Sequence, residues 1–186
     1  MAVIWHISDE YPEEAIGEYD RFVSPDRFLF LRGAQLESPQ GLATFRFKVP
    51  ASKLVAYECL PNNAMVPLVG PHIAQILELL CPGDIQLFPA HVYTADADLH
   101  DYRLLNATHC VKAVDRGQSA WVSILGTQAI MKFNRLRHLP DCMSGHHIAR
   151  DADYHSHLLI SETLHSELKK LRFRGIQFTQ PEEIHP

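Results

Sequence analysis

The residues most capable of chemistry gather at His146-His147 and at Asp151-Ala152-Asp153-Tyr154-His155-Ser156-His157. If the second run is a strand, His155 and His157 point to one face and Asp153 can join them as an oxygen ligand. His146 or His147, brought across a turn, would complete a three- or four-ligand transition-metal site, the basis for a metal-dependent hydrolase. No zinc-enzyme signature such as His-Glu-x-x-His accompanies the run, and polar residues beside a strand are also what solubility requires. Nucleophiles fare worse. Ser119, in Gly117-Gln118-Ser119-Ala120-Trp121, lacks the second glycine of a nucleophile elbow. Cys142 stands four residues before His146, but catalytic Cys–His pairs are assembled by the fold and not by adjacency in sequence. There is no Gly-x-Gly, no phosphate-cradling loop, and nothing that marks two carboxylates as an acid–base pair. The residues therefore favour a protein that is not an enzyme and that uses no metal and no cofactor.

The elements that must position these groups read most clearly toward the C-terminal end. Leu158 to Ile160 is a short apolar run, and Ser161 suits a helix N-cap with Glu162 in the first turn. Leu164, Leu168 and Leu171 recur at helical spacing, while Lys169, Lys170, Arg172 and Arg174 lie where cations oppose the helix dipole. Gly175 is expected to stop that helix, and Ile176 with Phe178 alternates as a closing strand. A second helix is expected from Pro71, with Ile73, Ile76, Leu77 and Leu80 as its apolar stripe and Pro82-Gly83 ending it. Residues 85–93 and 102–114 read as an antiparallel pair of strands, with Pro89 implying an edge or a bulge. Thr44 to Val49 alternates with Phe45 and Phe47 on one face. Residues 3–7 and 120–125 are further strand candidates, and 128–136 is a strand or a helix. Ser38-Pro39-Gln40-Gly41 reads as a turn, Arg21 to Arg32 as a segment packed on the main body, and Arg150 to Ser156 as a polar turn.

Few helices and many short strands, without strand–helix alternation, give an α+β class: a largely antiparallel sheet with a few packed helices. The loop-rich residues 61–70 divide the chain into an N-terminal portion, 1–60, packed on a core domain, 61–186, unless the two are continuous.

Several of these segments, in this order, resemble a bacterial immunity-protein family encoded beside polymorphic toxins, immunity family eleven, formerly a domain of unknown function. Its pattern is a helix before a Pro-Gly-Asp-like turn, a strand ending in Pro, a Tyr…Asn strand with a trailing Asp, a terminal Ser-Glu-x-Leu helix and a Gly-apolar-x-Phe strand. The corresponding residues are Pro82-Gly83-Asp84-Ile85-Gln86-Leu87-Phe88-Pro89, Tyr102 to Asn106, Asp115, Ser161-Glu162-Thr163-Leu164 and Gly175-Ile176-Gln177-Phe178. The likeness covers about residues 65 to 180 and is loose before that. It departs at Ala149, where the family has Phe, and at Gly70-Pro71, where many relatives open the first helix with Ser. The resemblance implies an immunity protein that neutralises a cognate toxin or effector by direct binding, and it implies no metal.

Charge bears on what such a protein could bind. Seventeen Lys plus Arg against twenty-two Asp plus Glu give a formal charge of −5, which argues against nucleic acid and suits a basic partner. Residues 8–20 carry Asp9, Glu10, Glu13, Glu14, Glu18 and Asp20 without one Lys or Arg, and Asp96, Asp98 and Asp101 crowd the connection after residue 93. Each stretch reads either as a solvated loop or as an acidic patch that meets a cationic surface on the toxin, and these nine residues are the candidate partner-binding set. Lys169, Lys170, Arg172 and Arg174 are accounted for by the helix dipole. No secretory signal or membrane-spanning run is apparent, and four widely spaced cysteines read as reduced and mostly buried, so the expected compartment is the cytoplasm. An adaptor that carries an effector to its secretion machine is the remaining rival; it would bind outside the toxin's catalytic domain and leave activity intact.

Overall fold

The computed structural model describes residues 2–7, 11–38 and 41–185. The first seven strands are β1 (Ala2–Ile7), β2 (Glu18–Tyr19), β3 (Ala43–Arg46), β4 (Cys59–Leu60), β5 (Leu68–Val69), β6 (Ile85–Tyr93) and β7 (Asp98–Leu99). The rest are β8 (Arg103–Ala107), β9 (Cys110–Val111), β10 (Ala120–Ser123), β11 (Ile130–Arg135), β12 (Ile148–Asp151), β13 (Leu158–Ser161) and β14 (Ile176–Thr179). Three α-helices accompany them: the single turn α1 (Ala51–Leu54), α2 (Pro71–Leu80) and α3 (Glu162–Lys170). The class is α+β, as expected, but the strands form two larger sheets and a hairpin.

One sheet runs β14-β1-β13-β12-β9, the other β2-β3-β6-β8-β5-β4 with β7 added beside β6, and β10 pairs with β11. Pairings are antiparallel except β12 with β9 and β3 with β6. The region read as one strand, 102–114, is broken. β8 ends at Ala107 and β9 joins the other sheet, where Arg150 N–H donates to His109 O at 2.9 Å. Pro89 fits inside β6 because Ala90 N–H donates to Tyr102 O. Alternation then turns the Pro89 nitrogen to the opposite edge, where pairing with β3 begins only at Ala90.

Both long helices follow the local rules. Gly70 precedes Pro71 at the first turn of α2, which buries Ile73, Ala74 and Leu77. Ser161 Oγ caps α3 by accepting from Leu164 N–H at 3.2 Å, and Leu164 and Leu168 are buried. Leu171 is half-exposed beyond the helix end, and Gly175 does not stop α3. The left-handed residue after the helix is Arg172 (φ 48°), while Gly175 (φ 94°) lies where a Cβ would strike Tyr11 Oη and Cys59 O. A glycine is needed there for close approach.

The two helices and the facing sides of both sheets share one core, in which Val3, Trp5, Ile160, Leu77, Leu105 and Leu168 meet. A second core lies inside the larger sheet around Phe30, Phe45, Phe47, Leu60 and Leu104. A third joins Ile4, Ala149 and Leu159 to Phe133 of the hairpin. Each Leu or Phe so buried contributes about 1.5–3 kcal/mol, and replacing Leu77 by Ala would cost about 2–5 kcal/mol. The segment 21–32 packs only in part: Phe30 is fully buried, but Phe22 is fully exposed. Arg150 and Asp151 do not form a polar turn; they end β12, and both are buried. Among the described residues no helix is long and apolar enough to cross a membrane.

Candidate functional site

The fold places one residue from each acidic stretch, Glu18 and Asp98, on the outer face of the larger sheet. Glu18 pairs with Arg46, Arg46 with Tyr93, and Tyr93 with Asp98. Residues in register share a face, so these four form one row across β2, β3, β6 and β7. The next row, Tyr19, Phe45, Val92 and Leu99, points inward. At this end of the sheet, period-two alternation sorts the residues into an apolar inner row and a charged outer one.

The outer row is a charge network with an aromatic centre. Lys48 Nζ lies 2.8 Å from Glu18 Oε1, and Arg46 lies 3.2 Å from Asp20 Oδ2. The Arg46 guanidinium also sits 4.8 Å from the centroid of the Tyr93 ring. His91 packs on Tyr93 at 3.9 Å and on His100 at 4.7 Å, and its Nε2 is 3.4 Å from Asp98 Oδ2. That His91–Asp98 approach satisfies distance but not hydrogen-bond direction, since His91 Nε2 has no hydrogen-bond partner among the described residues. Exposed ion pairs of this kind are screened by solvent and worth little, so they can be exchanged for a partner's charges at small cost.

The remaining acidic candidates divide by role. Glu13 and Glu14 are exposed on a short 3₁₀ turn, Glu13–Ala15, and Asp101 is exposed; none makes an ion pair among the described residues. Asp96 is a structural group. Its Oδ1 accepts from Ala51 N–H at 2.8 Å at the start of α1 and from Thr94 Oγ1 at 3.1 Å. Asp9 and Glu10 lie outside the described residues, as do Pro39 and Gln40 of the expected turn. Arg46, Tyr93, His91 and His100 were not among the sequence candidates. Only the pairing of β3 with β6, and of β6 with β7, puts these residues, distant in sequence from β2, in the same sheet region as Glu18.

The histidine-rich run is dispersed instead of assembled. His146 Nδ1 lies 2.7 Å from Asp84 Oδ1, the His147 ring faces Ser161 Oγ at 2.9 Å, and Asp153 pairs with Arg116 at 2.6 Å. His155 is exposed, whereas His157 is buried against Phe133 and Tyr154. Burial, aided by nearby His6, His138 and Arg150, lowers His157 to about 3, so it is neutral at ordinary pH. Ser119 Oγ bridges the Arg137 backbone, donating to its O and accepting from its N–H, and Cys142 is a buried thiol raised by burial. Cys59 and Cys81 are also buried and Cys110 is exposed; all four are free.

Two other groups could offer ligand atoms to a metal ion: Asp84, His109 and His146, and His91, Asp98 and His100. In the first, the Asp84 carboxylate already has structural partners. Its Oδ2 accepts from His147 N–H at 2.6 Å and from Ile148 N–H at 3.3 Å, fastening the turn before β6 to the start of β12. Burial alone would raise this carboxyl, but the hydrogen bonds from His146, His147 and Ile148 outweigh it and hold the group below its ordinary value.

Comparison with known proteins agrees with the motif order. The sequence model of the Immunity protein family (Imm11) matches residues 13–183, a span that takes in both acidic stretches from Glu13 onward. No curated protein matches the chain.

Proposed function

Since the chain belongs to the Imm11 immunity protein family, we propose that it neutralises one cognate toxin by direct, stoichiometric binding in the cytoplasm. The contact surface in this reading is the outer face of the larger sheet, with Glu18, Asp20 and Asp98 as its acidic groups and Tyr93 as its aromatic centre. The observation that carries it is the register row Glu18–Arg46–Tyr93–Asp98, which gathers residues from two separate acidic stretches on one exposed face.

Physical chemistry supports such a face as an inhibitor surface. Many toxins that act on nucleic acid or nucleotides have cationic active sites. An acidic, preformed surface is steered to them quickly and then obstructs substrate entry. A β-sheet face is rigid, so little ordering entropy is lost on binding. Tyr93 and Arg46 are residue types that concentrate binding energy at interface centres. Inhibition needs no chemistry from this chain, in keeping with the structural roles of Ser119 and Cys142.

The test is the association rate with the toxin domain encoded beside the gene, followed at low and high salt. Glu18→Lys with Asp98→Lys should slow association about tenfold or more at low salt and flatten the salt dependence. An unchanged on-rate would remove this face from the interface. An adaptor is distinguished by assaying the toxin's activity in the complex, because it would bind the toxin and leave its activity intact.

A further inference from the structure

A cavity of about 560 Å³ opens between the five-stranded sheet and the 61–67 segment. That is within the range of small-molecule sites, about 300–1,000 Å³. One wall is again a register row. Trp5 pairs with Leu158 and Leu158 with Arg150, so the three side chains share a face, and all three line the cavity.

Arg150 is only 1% exposed. No carboxylate among the described residues lies within ion-pair distance of it. Among the described residues its guanidinium reaches only carbonyl oxygens, Phe30 O at 3.3 Å, His155 O at 3.4 Å and Ser156 O at 3.5 Å. Asp151 follows it on the strand and therefore points to the opposite face. Burial lowers Arg150 to about 10, which leaves it charged at neutral pH. Among the described residues Arg150 Nε has no hydrogen-bond partner, and neither does the buried indole Nε1 of Trp5. Buried charges are ordinarily paired and buried donors ordinarily satisfied, because the alternative is costly.

Arg150 and Trp5 both line the cavity, and a buried positive charge with no ion-pair partner among the described residues favours an acceptor that is itself negative. Elsewhere the lining includes Ile16, Met65 and Ile184, which suit an apolar body. We propose that this cavity binds a small organic carboxylate with an apolar body, its carboxylate received by the Arg150 guanidinium beside Trp5. None of its lining residues belongs to the outer row Glu18–Arg46–Tyr93–Asp98, so ligand binding here is tested apart from toxin binding.

Trp5 and Trp121 are the two tryptophans, so Trp121→Phe leaves Trp5 as the sole indole reporter. The full chain carrying Trp121→Phe is titrated with hexanoate at constant ionic strength, with hexanamide as the neutral control. Expected is a saturable change in Trp5 emission with hexanoate and binding of hexanamide weaker by about tenfold or more, the usual worth of a charge-assisted hydrogen bond. Arg150→Met in the same background should weaken hexanoate by a similar factor, with Arg150→Lys between the two. Absence of saturation, an equal response to hexanamide, or full affinity in folded Arg150→Met would overturn the proposal. If Arg150→Met does not fold, the comparison of hexanoate with hexanamide decides on the intact arginine.

Discussion

Replacing Asp84 should loosen the joint between the two sheets, and the size of the effect can be worked from its contacts. Asp84 is 8% exposed and lies in the turn after α2. Its Oδ2 accepts from His147 N–H and Ile148 N–H, and its Oδ1 faces the His146 ring. Asp84→Ala strands the Ile148 N–H in a fully buried site and the His147 N–H in a half-exposed one that water can reach. A buried unsatisfied donor costs about 1–3 kcal/mol, and losing the charge-assisted bonds adds to it, giving about 3 kcal/mol in all. For a domain of this size that lowers Tm by about 6–12 °C. Asp84→Asn keeps one acceptor oxygen and should lose about half as much. The pH dependence has a definite sign. Because the folded carboxyl is held below its ordinary value of about 3.8, its contribution is fully present above that pH and disappears as pH falls through the depressed folded value. The gap between wild type and Asp84→Ala should therefore narrow in acid below about pH 4. Calorimetric melts across that range are the assay. A Tm for Asp84→Ala equal to wild type at pH 7 would refute the idea that this carboxylate joins the sheets.

Other substitutions test other parts of the structure. His157, neutral in the fold with its pKa lowered to about 3, takes up a proton more readily when unfolded, so it withdraws stability as pH falls from about 6.5 toward 3. His157→Phe should flatten that acid limb, read from urea midpoints at pH 7, 5.5 and 4. Gly175→Ala forces a side chain into a left-handed backbone and against Tyr11 and Cys59, and should cost about 2 kcal/mol or more by thermal melt. Lys48→Ala removes only an exposed pair to Glu18 and should leave Tm unchanged within about 2 °C.

Much of the architecture was legible because its causes are local. Ser161, the 164/168 spacing and the Pro71 start each act within one turn of helix, and α2 and α3 lie where those signals put them. Phe45 and Phe47 both face inward, as alternation requires. What stayed hidden depends on non-local pairing. Arg150 and Asp151 read as a polar turn because charged residues are normally solvated, and only the parallel pairing of β12 with β9 encloses them. The break after Ala107 follows from the same pairing. The histidine run suggested a common site by adjacency, yet β13 begins only after His157, so its members point to separate neighbours. For the acidic candidates, sequence supplied the residue types, and register supplied the fact that Glu18 and Asp98 share a face. It also showed that Asp96 is occupied with holding the start of α1.

The most direct test of the central claim is co-expression of this chain with the toxin encoded beside its gene, followed by co-purification and assay of the toxin's activity in the complex. The account predicts survival of the cells, a stable stoichiometric complex without toxin activity, and loss of protection in the Glu18→Lys, Asp98→Lys variant. Persistent toxicity with the folded wild-type chain abundant, or a purified complex in which the toxin remains active, would contradict it.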